Sequence, residues 1–368
     1  MSTSGTTPAP TPGGAASDFT CSVVETPRLR MNVWTSGPAD GAPVLLVHGN
    51  LTTGGFWTYV AAELPSDVRV IAPDMRGFGR TDAAPIDATR GLGDMSDDVH
   101  ALLETLGLAG TRRVTAAGWS MGGGVLQQLF LEHPDDLGAL VLVAPVSPYG
   151  FGGTVDAAGT RAFDDAAGSG GGGAAPEFVR RLREKDRSED DPGSSPRIVL
   201  RSFFGAGANA PNVDEEFLLS EALTTRVGDD FYPGDSRPSE NWPMLAPGDR
   251  GVLNTMSPNH YDTSAIARST AGIPITWIHG SDDAVCADRS MFDFGTLGEL
   301  GAVPGWPGAA VLPSQPMKQQ TRAVLAGYAA QPGQEGLVKE VELEGIAHGL
   351  PLEVPGRIAE EIAEVLVR

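Results

Sequence analysis

The chain has 368 residues, 41% of them hydrophobic, with 47 acidic and 26 basic side chains and a formal net charge of −21. It is long enough for a large core in one big domain or two ordinary ones, and its acidity excludes nucleic-acid and anionic-membrane partners, which need a dense cationic surface. The two cysteines, Cys21 and Cys286, form neither a disulfide framework nor a Cys/His ligand spacing, so a reducing, cytoplasmic setting is expected.

Residues 1–20 open with MSTSGTTPAPTPGGAASD, polar and rich in Thr, Pro and Gly, and read as a disordered tail rather than a secretory signal. RLRMNVWTSG (28–37) then alternates apolar and polar residues as a half-buried strand does. PVLLVHG (43–49), VRVIAPD (68–74), RVTAAGWS (113–120), ALVLVAP (139–145) and IPITWIHG (273–280) are short apolar runs that predict strands buried on both faces. Helical patterns lie between them. DMSDDVHALLETLG (94–107) carries an Asp or Ser N-cap candidate and an apolar face, MGGGVLQQLFLEH (121–133) stops before Pro134, and VPGRIAEEIAEVLV (354–367) closes the chain. Alternating buried strands and amphipathic helices predict an α/β protein with a mainly parallel sheet.

The alternation breaks at residues 146–270, which predict a largely helical cap inserted into a core of 21–145 and 271–368. Within it, GSGGGGAAP (168–176) reads as a mobile loop, and a second irregular stretch runs over 297–316. No apolar run approaches the ~20 residues needed to span a bilayer, so no membrane segment is expected.

The stretch GWSMG (118–122) matches the G-x-S-x-G turn that projects a nucleophilic serine between a strand and a helix, with glycine needed where side chains would collide. Ser120 needs a base, and the base needs an orienting carboxylate. Among six histidines, His48 reads as a brace for its own turn, and His100 and His133 read as structural residues on or at the end of helices. His348 follows an alternating strand (337–343) and precedes the last helix, which makes it the best base. The loop SDDAV after ITWIHG offers Asp282 and Asp283; Asp283 is preferred, and geometry must decide between them.

The order Ser, Asp, His, the elbow, HGN after an early strand and DMRGFGRT (74–81) together resemble the α/β-hydrolase fold superfamily. The resemblance is greatest to its capped branch of esterases, lactonases, C–C bond hydrolases and haloperoxidase-like enzymes. It runs from about residue 28 to the end, and matches least well in the cap and at 297–316. It implies Ser120 as nucleophile, His348 as base and Asp283 as its acid, with the backbone N–H groups of Asn50 and Met121 as the oxyanion hole. Dehalogenases and epoxide hydrolases of this superfamily attack with an aspartate, so Ser120 disfavours both.

The expected reaction is acyl transfer on a medium-sized apolar ester or lactone, with no metal or cofactor. Candidate substrate contacts are Trp119, Phe56, Trp57, Tyr149 and His260, and the cap also holds Phe203 and Phe204. C–C bond hydrolysis of a carboxylated diketone, with Arg161, Arg180, Arg181 or Arg183 as partners, perhydrolysis on the same triad, and a non-catalytic binding role are the alternatives. The oligomeric state is not legible.

Overall fold

The apolar runs become the strands of one sheet, because each is too hydrophobic to leave either face in water. The computed structural model describes residues 7–8, 18–205, 210 and 212–367, so most of the expected tail lies outside the described residues. The first strands are β1 (Thr7–Pro8), β2 (Thr20–Glu25), β3 (Arg30–Ser36), β4 (Ala42–Val47), β5 (Val68–Pro73), β6 (Val114–Trp119) and β7 (Leu137–Val143). In β4, Val44 to Val47 are completely buried, and β6 is buried along its whole length.

The helices α1 (Thr58–Glu63), α2 (Gly93–Thr105) and α3 (Met121–Glu132) connect these strands. After β7 the chain leaves the sheet for residues 146–270. This insertion holds α4 (Pro176–Arg183), α5 (Pro196–Phe203) and α6 (Glu215–Ala222). It also holds two small sheets, β8 (Val227–Gly228) with β9 (Tyr232–Pro233) and β10 (Ser236–Pro238) with β11 (Leu245–Pro247). The chain returns as β12 (Ile275–Gly280), α7 (Phe294–Glu299), α8 (Met317–Ala329), β13 (Val338–Leu343), α9 (Leu350–Glu353) and α10 (Pro355–Glu364).

The sheet order is β1-β2-β3-β5-β4-β6-β7-β12-β13, antiparallel from β1 to β5 and parallel from β5 to β13. The chain passes from β4 outward to β5, then crosses back to β6 on the other side of β4. Loops leaving β4 and β6 therefore diverge, and such a reversal opens a crevice at the carboxyl edge of the strands.

Four expectations need correction. The helix predicted from residue 94 starts at Gly93 after Leu92, with no side-chain cap. Asp94 is drawn instead to Arg28, Arg76 and Arg90, at 3.4, 3.0 and 3.1 Å. The glycine-rich stretch near 168 is packed rather than loose. Gly168 and Gly171 are buried, and their N–H groups donate to the Leu245 carbonyl at 3.1 Å and Asn254 Oδ1 at 2.8 Å. Strand β2 and helix α8 were not anticipated. α8 buries Met317, Gln320, Thr321, Val324, Leu325 and Tyr328, a helical period masked by two polar members.

One buried carboxylate organises the loop after β5. Asp74 accepts from Asn32 Nδ2 (2.8 Å), Trp34 Nε1 (3.1 Å), and the N–H groups of Gly54 (2.9 Å) and Arg80 (3.0 Å). Gly79 lies against this carboxylate at φ 58°, where a Cβ would collide with Asp74 Oδ2. Burial, with the Glu221 carboxylate nearby, pushes the Asp74 pKa up to about 6 despite the four donors. Glu221 reaches inward from α6 to accept from Thr53 Oγ1 at 2.8 Å and Arg80 Nη2 at 3.0 Å, and so ties the insertion to the core. In Asp74→Asn the amide nitrogen must face two of the four donors. That substitution is expected to lower unfolding free energy by about 2–3 kcal/mol in urea titrations; an unchanged midpoint would show that the four donors do not need an anionic partner.

Candidate active site

Ser120 stands between β6 and α3 with φ 56° and ψ −119°, a conformation that non-glycine residues rarely adopt. The four glycines around it have steric causes. A Cβ on Gly118 would lie 2.5 Å from the Gly122 carbonyl oxygen. A Cβ on Gly122 would lie 2.6 Å from the His48 carbonyl oxygen and closer still to that of Val47. Gly123 faces Pro145, with a Cβ at 2.6 Å, and Gly124 faces Val146 and Leu92. Thus the first turn of α3 is pressed onto the ends of β4 and β7. The register Val47↔Gly118 then sets His48-Gly49-Asn50 beside Trp119-Ser120.

His48 is buried and braces its turn, as expected. Its Nε2 accepts from the Met75 N–H at 2.9 Å, which assigns the proton to Nδ1, and Nδ1 donates to the Gly49 carbonyl at 2.7 Å. Burial lowers its pKa from 6.5 to about 4, so the ring is neutral. The turn leaves Asn50 beside the elbow, with Leu51 at φ 61°. Met121 is the first residue of α3, so its N–H has no carbonyl within the helix to donate to.

Loops from the last two strands are stitched together. The Ser281 N–H donates to the Leu343 carbonyl (2.9 Å), the Asp282 N–H to that of Ile346 (3.0 Å), and the Gly345 N–H to Ser281 Oγ (2.8 Å). Asp283 Oδ2 consequently lies 3.0 Å from His348 Nδ1, with both side chains buried. Asp283 Oδ1 accepts from the N–H groups of Val285 (2.7 Å) and Cys286 (3.0 Å). Burial pushes the Asp283 carboxyl up, but the His348 charge and these hydrogen bonds outweigh it and hold its pKa below the ordinary value. Asp282 is exposed and accepts from Ser281 Oγ at 2.8 Å.

Among the described residues His348 Nε2 is buried without a hydrogen-bond partner, so no Ser120–His348 hydrogen bond is formed in this structure. The Ser120 hydroxyl lies within hydrogen-bonding reach of the Cys286 thiol, a neighbour the sequence did not suggest. Catalytic hydrogen bonds are often open before substrate arrives.

An aromatic cluster surrounds the imidazole. Trp119 has its ring centre 5.8 Å from that of His348, 6.2 Å from Phe56 and 6.0 Å from Phe204, and its Nε1 donates to the His348 carbonyl at 2.9 Å. Phe204, at the end of α5, is 6.3 Å from His348, and Gly205 beside it touches Gly349. Trp57 is buried, and among the described residues neither its Nε1 nor the buried Asn50 Oδ1 has a hydrogen-bond partner. Tyr149 packs on Gly159 within the insertion. His260 Nε2 is 3.0 Å from the Gly248 carbonyl oxygen and 3.6 Å from Asp249, both in the insertion, while its own carbonyl lies against Gly91 of the core.

A family model for the α/β hydrolase fold matches residues 42–167. The esterase of Rhodococcus sp. superposes with a TM-score of 0.56 over 95% of this chain and 98% of its own, at 18% identity. The chain has the α/β-hydrolase fold. By sequence, this α/β-hydrolase-fold chain is 37% identical over 120 residues to a lipase of Mycobacterium tuberculosis, covering 32% of this chain and 42% of the lipase. It is 34% identical over 118 residues to the 2-hydroxymuconate semialdehyde hydrolase of a Pseudomonas species, covering 31% of this chain and 40% of that enzyme. The matched region spans 40–42% of the length of these curated relatives. Among the described residues, no helix is long and apolar enough to cross a membrane.

The neutral His48 makes the fold acid-sensitive. Its folded-state pKa lies below the unfolded value, so its stabilising contribution is complete above pH 6.5 and is lost as pH falls from 6.5 through 4, roughly 3 kcal/mol in all. NMR titration of the folded protein is expected to give His48 a pKa of about 4; a value near 6.5 would mean that the imidazole is solvated and the turn is held otherwise.

Proposed function

We propose that this chain is a serine hydrolase that cleaves a medium-sized apolar carboxylic ester or lactone through an acyl-enzyme. The observation that carries this reading is the buried Asp283–His348 pair, 3.0 Å apart, whose imidazole centre lies 5.8 Å from that of Trp119, the residue before Ser120 in the strained turn. Hydrolase-named relatives support an enzyme.

In the proposed reaction Ser120 Oγ attacks the carbonyl carbon and its proton passes to His348 Nε2. Asp283 keeps the second proton on Nδ1 and stabilises the imidazolium. The tetrahedral oxyanion takes the N–H groups of Met121 and Asn50, each commonly worth about 3 kcal/mol of barrier height. The imidazolium returns its proton to the leaving alcohol oxygen. Water then attacks the acyl-enzyme, giving a proton to His348 and releasing the acid. No step requires a metal or cofactor.

Two features support an apolar substrate. Trp119, Phe56 and Phe204 flank the imidazole with aromatic surface. Three of the four arginines that could bind a substrate carboxylate are engaged elsewhere, and the fourth, Arg183, is exposed on α4. Arg180 pairs with Glu177 and Glu184, Arg181 with Glu177, Asp186 and Asp190, and Arg161 with Asn259. This disfavours the carboxylated diketones of C–C bond hydrolysis. Residues 146–270 serve in this reading as the cap that carries Phe204 over the base.

A fluorophosphonate probe is expected to add once, on Ser120, and p-nitrophenyl esters of medium-length acids to turn over. Ser120→Ala should abolish both, and Asp283→Asn should lower kcat by about 10⁴-fold while labelling slows. Turnover that survives in Ser120→Ala would overturn the assignment, and folded protein that resists the probe would favour a binding role.

A further inference from the structure

At the opposite end of α3 from Ser120, three side chains from separate turns converge. His100 comes from the middle of α2, His133 caps the C-terminus of α3, and Asp136 ends the short 3₁₀ turn Pro134–Asp136 that follows. The two imidazoles lie face to face, with centres 3.6 Å apart and planes inclined by 9°. Asp136 Oδ2 is 2.6 Å from His100 Nδ1, while Asp136 Oδ1 accepts from the Gly110 N–H at 2.7 Å. One ligand atom from each residue lies within 4.8 Å of the other two.

We propose that His100, His133 and Asp136 form a binding site for a borderline divalent cation of the zinc, nickel or copper kind. Two imidazoles and one carboxylate are the donor set such ions prefer over magnesium or calcium, which take oxygen. The carboxylate is preorganised, because Asp136 is 2% exposed and fixed by Gly110. Both histidines are partly exposed, so an ion can reach them and the rings can turn. Among the described residues the His133 nitrogens have no hydrogen-bond partner, and the ring stacks on that of His100.

Donor atoms on one such ion sit about 3–4 Å apart. Loading therefore needs a closure of about 1 Å and an opening of the ring stack so that the lone pairs converge. The ion takes the place of the proton shared by His100 Nδ1 and Asp136 Oδ2, and that proton is released to solvent. His100 Nε2 then takes up a hydrogen from solvent and faces Glu104 Oε1, 3.6 Å away on the next turn of α2, as an outer partner orienting the ligand. The twelve residues of α3 separate this site from Ser120 by about 18 Å. Its role is to pin the end of α3 to α2, and it takes no part in the chemistry at Ser120.

The test uses the intact chain, stripped with a chelator and titrated with zinc chloride by calorimetry, with a thermal melt at each loading. One zinc per chain with micromolar affinity and a raised melting temperature are expected. His133→Gln should weaken binding by at least about tenfold and leave the metal-free melt unchanged. Copper-loaded protein should show two imidazole nitrogens in its paramagnetic resonance spectrum and one in His133→Gln. Absence of saturable binding up to about 1 mM zinc, or equal affinity in His133→Gln and the parent, would overturn the proposal. Should His133→Gln fail to fold, the parent's copper spectrum decides: two nitrogens support the site, and one or none rejects it. Esterase activity is not the readout, so failure here leaves the reading of Ser120 intact.

Discussion

The close approach of three backbone segments at the head of α3 is the constraint on which the rest of the site depends. The Gly122 position touches the carbonyls of Val47 and His48, the Gly118 position touches the Gly122 carbonyl, and Gly123 rests on Pro145. With no side chains between them, β4, β6 and β7 deliver their ends to one point. The cost is four glycines in ten residues and a serine in a strained conformation, in a stretch where alanine would favour the helix by about 1 kcal/mol per position. In return, Ser120 is set in the turn between β6 and α3 with Gly49 close against it.

The Asp283–His348 pair is placed by a different device. His348 and Asp283 sit on loops of little regular structure, yet both side chains are buried. Their loops hold each other by backbone hydrogen bonds between residues 281–282 and 343–346, and by the close contact of Gly280 with the Ile346 carbonyl. The Val285 and Cys286 N–H groups fix the carboxylate, and the carboxylate fixes the imidazole. Trp119 then links this assembly to the elbow, because the residue before the serine donates to the His348 carbonyl. Ser120 and His348 are thus connected through the protein even where their side chains do not share a hydrogen bond.

The insertion is joined to the core by buried polar contacts as much as by apolar packing. Glu221 meets Thr53 and Arg80, and Gln320 of α8 accepts from Ser147 Oγ at 2.6 Å and donates to Thr154 Oγ1 at 2.9 Å. Such groups are costly unless every partner is in place, so they fix one arrangement of the insertion over the sheet. Phe204, at the end of α5, is held against His348 by that arrangement.

The parallel core and the G-x-S-x-G turn are legible in residue order alone. Strands buried on both faces must be continuously apolar, and a serine between strand and helix needs glycine on both sides only where the backbone bends too tightly for a Cβ. The sequence left Asp282 and Asp283 unresolved, because neighbours in a loop differ only in which way they point. It missed α8, whose buried face includes Gln320 and Thr321, and β2, where Val23 faces outward at 41% exposure and blurs the alternation. It grouped His260 with the pocket, whereas folding turns its ring to the Gly248 carbonyl. The pairing of His100 with His133 and Asp136 was equally hidden, since 36 residues separate His100 from Asp136 and only folding lays α2 against the end of α3. Local chemistry is written in order along the chain, but contacts between distant turns arise only when the sheet and its helices bring them together.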